Sequence, residues 1–263
     1  MSGHRTPGLH TETFGTGTNL VMVHGWAMHG GVWREFAERL AERARVTLID
    51  LPGHGRSGNL DDFSLERVAD ALAEAAPERA CWLGWSLGAL LAVACAERHP
   101  QRVGGLLLMA GSPRFVAEPD WPGVAPAALE RVALELETNF GFTLKRFIGL
   151  QTHGLENARQ LAKRIGAALD DCDPPEASAL RGGLGILRRA DLRGALRRAA
   201  CPSLAMLGAH DRLVPKEAGA ALKALVPGIE THVLATAAHL PFATHPEETA
   251  DLILDFVGRH ALR

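Results

Sequence analysis

Short hydrophobic runs and longer amphipathic stretches alternate along most of the chain. The runs of strand length begin at Asn19, Arg45, Ala80, Val103, Pro202 and Ile229. The stretches between them place apolar residues three or four positions apart, as on the buried face of a helix. Because several runs are apolar at consecutive positions, we expect both faces of these strands to be covered, as in parallel sheets. The pattern predicts an α/β fold, with a mostly parallel central sheet and helices on both faces.

This alternation stops between Pro113 and Ala200. Prolines stand at positions 113, 119, 122 and 126, and helical patterns then follow one another without a strand between them. We therefore predict one α/β core, residues 1–112 and 201–263, with a helical insertion at residues 113–200. We expect this insertion to form a lid, and residues 113–200 are called the lid segment below.

The stretch GWSLG, residues 84–88, lies where a predicted strand changes into a predicted helix. Ser86 stands at this corner between Gly84 and Gly88. A one-residue corner forces unusual backbone dihedral angles, and flanking residues without side chains let the strand and the helix pass closely. The pattern predicts a Ser86 hydroxyl held clear of the sheet at the start of a helix, which is typical of a nucleophile.

A serine nucleophile needs a base and a group that orients the base. In a parallel sheet, such groups collect at the carboxyl ends of the strands. Asp211 and His239 each follow a predicted strand, and the order Ser86, Asp211, His239 fits a hydrolase of this architecture. Asp50 is the alternative acid, although we expect it to organise the loop LPGHG. The other histidines considered fit turns, packing, helix ends or strands better: His24, His54, His99, His210, His232 and His245.

Attack of a serine on an acyl carbon also needs donors for the negative charge on the tetrahedral intermediate. We expect one donor to be the backbone N–H of Leu87, directly after the nucleophile. The second is expected from the loop HGWAMHGG, in which Gly25 lets the chain turn and the backbone N–H of Trp26 points inward. The Trp26 side chain can also line the wall of the pocket.

Composition and charge limit the class of protein and the partners that we expect. The chain has 263 residues, 47% of them hydrophobic, and a formal net charge of −2, which argues against a general nucleic-acid binder. Its four cysteines lack metal-like spacing, and we expect reduced thiols. The start of the chain has no apolar signal region, and no apolar run reaches membrane-spanning length. We expect a cytoplasmic monomer that binds neither nucleic acid nor membrane and needs no metal or organic cofactor.

Five stretches together resemble the α/β-hydrolase family over nearly the whole chain: LVMVHGW, DLPGHGRS, GWSLG, GAHDRLVP and AAHLPFATHP. The lid stretch FIGLQTHGLENARQ narrows the resemblance to the pimeloyl-acyl carrier protein methyl ester esterases of biotin synthesis, because lids differ widely between hydrolases. That resemblance implies a substrate whose pimeloyl methyl ester is carried on acyl carrier protein. It implies catalysis by Ser86, Asp211 and His239. It places these residues around the substrate: Trp26, Ser86, Leu87, Phe147, Ile148, Gly149, Leu150, Gln151 and His239.

The charges of the lid segment are consistent with an acidic carrier protein. Between positions 145 and 164 there are five basic residues and one acidic residue, Glu156. Between positions 181 and 198 there are six basic residues and one acidic residue, Asp191. Arg159 and Lys163 are four residues apart and share a helix face. The expected docking residues are Arg146, Arg159 and Lys163. The alternative is that these charges are merely solvated. The expected inner, apolar side consists of Phe140, Phe142, Phe147, Ile148 and Leu150.

The sequence therefore predicts a serine carboxylesterase. An apolar tunnel favours a methyl ester over a free carboxylate, because burying a charge is unfavourable. The alternatives within the same fold are a broad carboxylesterase and a carbon–carbon bond hydrolase, which keep the same catalytic residues. A hydrolase-like receptor that only binds its ligand is a third alternative, but such a protein often lacks one of the three residues. The serine at position 86 sets aside hydrolases that use an aspartate nucleophile.

Overall fold

The computed structural model describes residues 8–152, 155 and 157–260, apart from the side chains of Phe140, Leu144 and Lys145. Seven strands in this part of the chain form a single sheet. They are β1 (Thr11–Phe14), β2 (Asn19–Val23), β3 (Arg45–Ile49), β4 (Ala80–Trp85), β5 (Val103–Met109), β6 (Ser203–Gly208) and β7 (Glu230–Leu234). Their order across the sheet is β1-β3-β2-β4-β5-β6-β7. All neighbouring strands are parallel except β1 and β3, so the predicted fold class is confirmed.

Helices follow most of the strands and also fill the lid segment. They are α1 (Arg34–Leu40), α2 (Leu65–Ala75), α3 (Leu87–Arg98), α4 (Pro126–Thr138), α5 (Phe140–Gln151), α6 (Ala158–Leu169), α7 (Ala177–Arg189), α8 (Arg193–Arg198), α9 (Ala218–Leu225), α10 (Pro241–Thr244) and α11 (Pro246–Arg259). Helices α4 to α8 lie between β5 and β6, in the stretch where the sequence pattern predicts helices without a strand.

The sheet has a hydrophobic core on each face. In β2, Val21 belongs to one cluster and Met22 to the other, and Leu106 and Leu107 divide in the same way on β5. This division follows from strand geometry, because successive side chains point to opposite faces. The central strands β4 and β5 are buried along their whole length, which explains their apolar runs.

The strand β1 is a difference from the sequence prediction, which placed the first strand at Asn19. It pairs antiparallel with β3, with Thr11 opposite Ile49. Its four residues are alternately exposed and half-buried. A polar edge strand this short has no apolar run, so hydrophobic patterning does not detect it.

The described residues contain no helix with both the length and the apolar character that a membrane crossing needs. Likewise, no cluster of three or more metal-ligating side chains occurs among them. All four cysteines are free thiols. Burial raises the pKa of the Cys81 thiol to about 12, which keeps it protonated and unreactive.

Candidate active site

Ser86 lies at the corner between β4 and α3, as the sequence predicts. Its backbone has φ 57° and ψ −115°, in the left-handed half of dihedral space where residues with side chains are strained. The flanking glycines are needed for close approach. A Cβ on Gly84 would lie 2.1 Å from the Gly88 carbonyl oxygen, and a Cβ on Gly88 would lie 2.1 Å from that of Val23. The corner therefore depends on both glycines.

Two other residues near the carboxyl edge of the sheet share the positive φ of Ser86. The other described residues with a side chain and positive φ are Ala27 (63°) and Ala110 (44°). They follow β2 and β5, which are the two strands on either side of β4. Strained residues of this kind tend to cluster at functional sites. Here they mark the carboxyl edge of the central strands.

His239 and Asp211 meet at the same edge. His239 Nδ1 lies 2.8 Å from Asp211 Oδ2, and both side chains are almost completely buried. Asp211 Oδ1 accepts hydrogen bonds from the backbone N–H groups of Leu213, at 2.8 Å, and Val214, at 3.0 Å. The carboxylate is thus held by the turn that follows β6, and it orients the imidazole with its second oxygen.

The other ring nitrogen of His239 remains available. Within the described part of the chain, His239 Nε2 is buried and has no hydrogen-bond partner, so no hydrogen bond joins it to Ser86. Trp85, directly before Ser86, donates a hydrogen bond of 2.8 Å from Nε1 to the His239 carbonyl oxygen. The Trp85 and His239 rings also lie with their centroids 5.9 Å apart. The last residue of β4 therefore binds the loop that carries His239.

The expected donors of an oxyanion hole lie next to Ser86. A Cβ on Gly25 would lie 3.3 Å from Ser86 Cβ, so the loop after β2 passes directly beside the serine. The backbone N–H groups of Trp26 and Leu87 donate to no acceptor among the described residues. Buried backbone N–H groups without a partner are rare and are typical of sites that bind an anion or an oxyanion.

Two of the other histidines lie side by side in the core. His24 and His54 are buried with ring centroids 5.4 Å apart, and burial lowers the pKa of each from 6.5 to about 3. The alternative acid, Asp50, instead accepts hydrogen bonds from the backbone of Gly30, at 2.6 Å, and Arg56, at 3.0 Å. It therefore holds its own loop, as expected, and also joins that loop to the segment after β2.

The lid segment contacts Trp26 from two sides. Trp26 Nε1 donates a hydrogen bond of 2.9 Å to the Leu180 carbonyl oxygen on α7. The Phe147 ring on α5 meets the Trp26 ring edge-on, with centroids 4.8 Å apart. Gln151, one turn further along α5, is 1% exposed, and neither of its amide atoms has a partner within the described residues.

The expectation that five apolar residues of α5 form its inner side is wrong for two of them. Phe142 is 58% exposed and Leu150 is 37% exposed, whereas Phe147 is buried and Ile148 is half-buried. Among the α5 side chains that the structure describes, the buried ones are Thr143, Phe147 and Gln151, spaced four residues apart on one face of the helix. Gly149 is exposed, and the Phe140 side chain lies outside the described residues. Helical periodicity leaves no single face for all five apolar residues.

The basic residues of the lid segment are partly paired. Arg146 Nη1 lies 2.8 Å from Glu135 Oε1, and Arg164 Nη2 lies 2.6 Å from Glu35 Oε2 on α1. Arg193 contacts Glu118, Asp120 and Asp191. Arg159 and Lys163 are exposed on one face of α6, as predicted. The Lys145 side chain and the motif residues His153, Gly154 and Glu156 lie outside the described residues.

Comparison with known proteins identifies the family. Residues 18–246 match the family model described as the alpha/beta hydrolase fold. The pimeloyl-[acyl-carrier protein] methyl ester esterase of Methylococcus capsulatus is 48% identical over 251 residues, covering 95% of this chain and 99% of that protein. The esterase of the same name from Yersinia enterocolitica is 42% identical, covering 90% and 92%.

The same fold occurs in an esterase from Exiguobacterium antarcticum, with a TM-score of 0.85, 21% identity and 95% coverage of both chains. The chain therefore belongs to the α/β-hydrolase family and, within it, to the pimeloyl-[acyl-carrier protein] methyl ester esterases.

Proposed function

We propose that the chain is a serine carboxylesterase that hydrolyses the methyl ester of pimeloyl-acyl carrier protein, releasing methanol, in biotin synthesis. The observation that carries the chemistry is the buried His239–Asp211 pair at 2.8 Å, at the sheet edge that also bears Ser86. His239 Nε2 has no hydrogen-bond partner among the described residues. The names of relatives that match over nearly the whole chain support the substrate.

Acylation begins when Ser86 Oγ attacks the carbonyl carbon of the ester. His239 Nε2 takes the hydroxyl proton, and Asp211 stabilises the resulting imidazolium through Nδ1–H. The carbonyl oxygen becomes an oxyanion that accepts hydrogen bonds from the backbone N–H groups of Trp26 and Leu87. Collapse of this intermediate breaks the bond to the methoxy group, which leaves as methanol with the proton from His239.

Deacylation repeats these steps with water. His239 removes a proton from water, which attacks the acyl carbon, and the proton then passes to Ser86 Oγ as the acid leaves. All proton transfers use side chains of this chain. The proposed reaction involves no metal or organic cofactor.

The lid segment supplies the acyl pocket in this proposal. Phe147 and the Trp26 side chain provide apolar surface. The Gln151 amide, which has no hydrogen-bond partner among the described residues, is available to a polar group of the substrate. The segment also controls access, because Ser86 is only 2% exposed and His239 only 1%. A substrate therefore reaches Ser86 only when part of the lid segment moves.

Carrier protein docking is assigned to the basic side of the lid segment. Arg159 and Lys163 are exposed on α6, and Arg146 lies on the neighbouring helix α5 in contact with Glu135. An acidic carrier protein would be steered toward these charges, and such complementarity changes association more than chemistry. Arg159 and Lys163 are the more accessible pair, so the test uses them.

The test compares carrier-bound pimeloyl methyl ester with free dimethyl pimelate. The Arg159→Glu, Lys163→Glu double variant is expected to raise KM for the carrier-bound ester at least tenfold, which is about 1.4 kcal/mol of binding. Its kcat/KM for the free ester should stay within about twofold. The measurement is steady-state methanol release for both esters.

The matched control is Arg43→Glu, Arg45→Glu. These two arginines are exposed at the amino end of β3, so the control changes the net charge equally but at the opposite edge of the sheet. If both double variants weaken carrier-bound turnover alike, net charge rather than docking is responsible. If neither ester distinguishes the variants from the wild type, the chain is a broad carboxylesterase with a solvated lid.

A further inference from the structure

The buried imidazole of His24 joins two loops at the carboxyl edge of the sheet. It follows β2 directly and is 1% exposed. Its Nε2 accepts a hydrogen bond of 2.9 Å from the backbone N–H of Leu51, in the loop after β3. Its Nδ1 lies 2.9 Å from the carbonyl oxygen of Gly25, in the loop after β2.

These two contacts define the tautomer. Because a backbone N–H can only donate, Nε2 must carry the lone pair. In the neutral ring the proton is then on Nδ1, which donates it to the Gly25 carbonyl oxygen. Burial keeps the ring neutral by lowering its pKa to about 3. His24 therefore acts as a fixed donor to Gly25 at neutral pH.

The Gly25 carbonyl oxygen belongs to the peptide group whose N–H is that of Trp26. This oxygen also accepts a hydrogen bond of 3.3 Å from the Met28 N–H, which closes a turn from Gly25 to Met28. In a planar trans peptide the carbonyl and the N–H point in opposite directions. Holding the oxygen inside the turn therefore directs the Trp26 N–H out of it, on a segment that passes beside Ser86.

We propose that His24 is a positioning residue for ester hydrolysis, which holds the Gly25–Trp26 peptide so that the Trp26 N–H points at the oxyanion formed on the substrate. This inference rests on the proposed serine mechanism. His24 touches neither the substrate nor the reacting atoms in this role, and acts only through the peptide that it holds.

His54 provides a built-in comparison. It lies in the same buried cluster, but its Nδ1 bonds the Pro52 carbonyl oxygen at 2.9 Å, and its Nε2 has no partner among the described residues. His54 therefore does not hold the Gly25–Trp26 peptide. Its replacement should affect stability without the specific effect on turnover that His24 replacements produce.

The experiment separates the two hydrogen bonds of His24. In His24→Asn, the amide nitrogen can occupy the place of Nδ1 and donate to Gly25. In His24→Gln, the amide oxygen can occupy the place of Nε2 and accept from Leu51. Each variant loses one hydrogen bond, so their Tm values should fall by similar amounts. The readout is kcat and KM for p-nitrophenyl butyrate, a small ester that needs no carrier protein.

We expect His24→Gln to lower kcat about tenfold to hundredfold with KM changed less than threefold. This loss is smaller than the factor of about 10² to 10³ for removing an oxyanion donor altogether. His24→Asn and the control His54→Asn should keep kcat within about threefold of the wild type. Equal losses in the two His24 variants, or unchanged kcat in His24→Gln, would overturn the proposal.

Ser86→Ala is measured alongside. If it retains turnover, the proposed nucleophile is wrong and the inference fails with it, whereas an inactive Ser86→Ala with active His24→Gln overturns the role of His24 alone. If the variants do not fold, a measurement on the wild-type protein still tests the proposal. The Trp26 amide resonance should move downfield when a phosphonate occupies Ser86, and an unchanged resonance would refute the proposed direction of this N–H.

Discussion

Helices α5 and α7 both lie against Trp26, but they are attached to the core in different ways. The α7 region makes three hydrogen bonds to core loops: Leu180 O with Trp26 Nε1, Ser178 Oγ with Asn59 Nδ2, and Glu176 N–H with Gly53 O. In the described part of α5, no hydrogen bond reaches the core. Its neighbour α6 reaches the core through buried Leu161 and Ile165 and through the exposed Arg164–Glu35 ion pair.

The glycines of these helices show the same difference. A Cβ on Gly183 of α7 would lie 2.9 Å from Trp26 Cδ1 and 3.1 Å from Leu87 Cδ2, so α7 packs as closely as its backbone allows. For Gly149 of α5 and Gly166 of α6, no group from another part of the described chain lies within 4 Å of such a Cβ. We infer that α7 belongs to the fixed wall of the site. We infer that α5, whose described part makes no hydrogen bond to the core, is the part that moves for the substrate.

The largest expected effect comes from the core, to which α7 is attached. Asp211→Asn should lower kcat about 10⁴-fold, because an amide favours the wrong imidazole tautomer of His239. The loss should be equal for carrier-bound and free esters, in contrast to the α6 charge reversals. Steady-state kinetics with both esters, together with the Tm of the variant, measures it. A loss confined to the carrier-bound ester would contradict the assignment of Asp211.

Acid is expected to destabilise the protein through buried His54, which lies beside Gly53 in the core loop that binds the α7 region. Burial, together with the smaller effect of nearby His24, lowers the pKa of His54 from 6.5 to about 3. Between these values the unfolded chain binds a proton that the folded protein does not, so the free energy of unfolding falls as the pH falls. The slope is about 1.4 kcal/mol per pH unit for each such histidine.

The variant His54→Leu should make this slope shallower between pH 6 and pH 4. It should also cost about 1 kcal/mol at pH 7, because the Pro52 carbonyl oxygen loses its hydrogen bond. Urea unfolding at several pH values measures both effects. An unchanged slope would mean that His54 is protonated in the folded protein within this range.

A matched pair of glycine substitutions tests the packing of α7 and α6 directly. Gly183→Ala on α7 should destabilise the protein by about 1–3 kcal/mol, because its Cβ meets the hydrogen-bonded Trp26 ring. Gly166→Ala on α6 should stabilise it by about 0.5–1 kcal/mol through helix propensity, since nothing opposes its Cβ. Thermal unfolding of the two variants compares them directly. Equal changes would contradict the distinction between α7 and α6.

The sequence pattern predicts those features of the candidate site that depend on residues close together along the chain. The corner at Ser86 was predictable because the strand, the helix and both glycines lie within a few residues of it. The positions of Asp211 and His239 were predictable because parallel strands bring their carboxyl ends to one edge. Whether these residues act in catalysis remains a prediction, which the Asp211 and Ser86 variants test.

The prediction for α5 failed for a different reason. Its apolar residues surround the helix, so composition alone does not show which side faces the core. The structure places Thr143, Phe147 and Gln151 inside and leaves Phe142 exposed. Packing of Phe147 against Trp26 selects this face, and Trp26 lies more than a hundred positions before α5 in the sequence.

The sequence by itself determined the fold class, the order of the candidate site residues and the place of the helical insertion, since each follows from hydrophobic period and chain order. Only the tertiary structure decided which side of α5 is buried, which lid charges are paired and what holds the Gly25–Trp26 peptide. Arg164 meets Glu35 and His24 meets Leu51 across long stretches of chain. Such contacts depend on how the elements pack in space, and local periodicity carries no record of that packing.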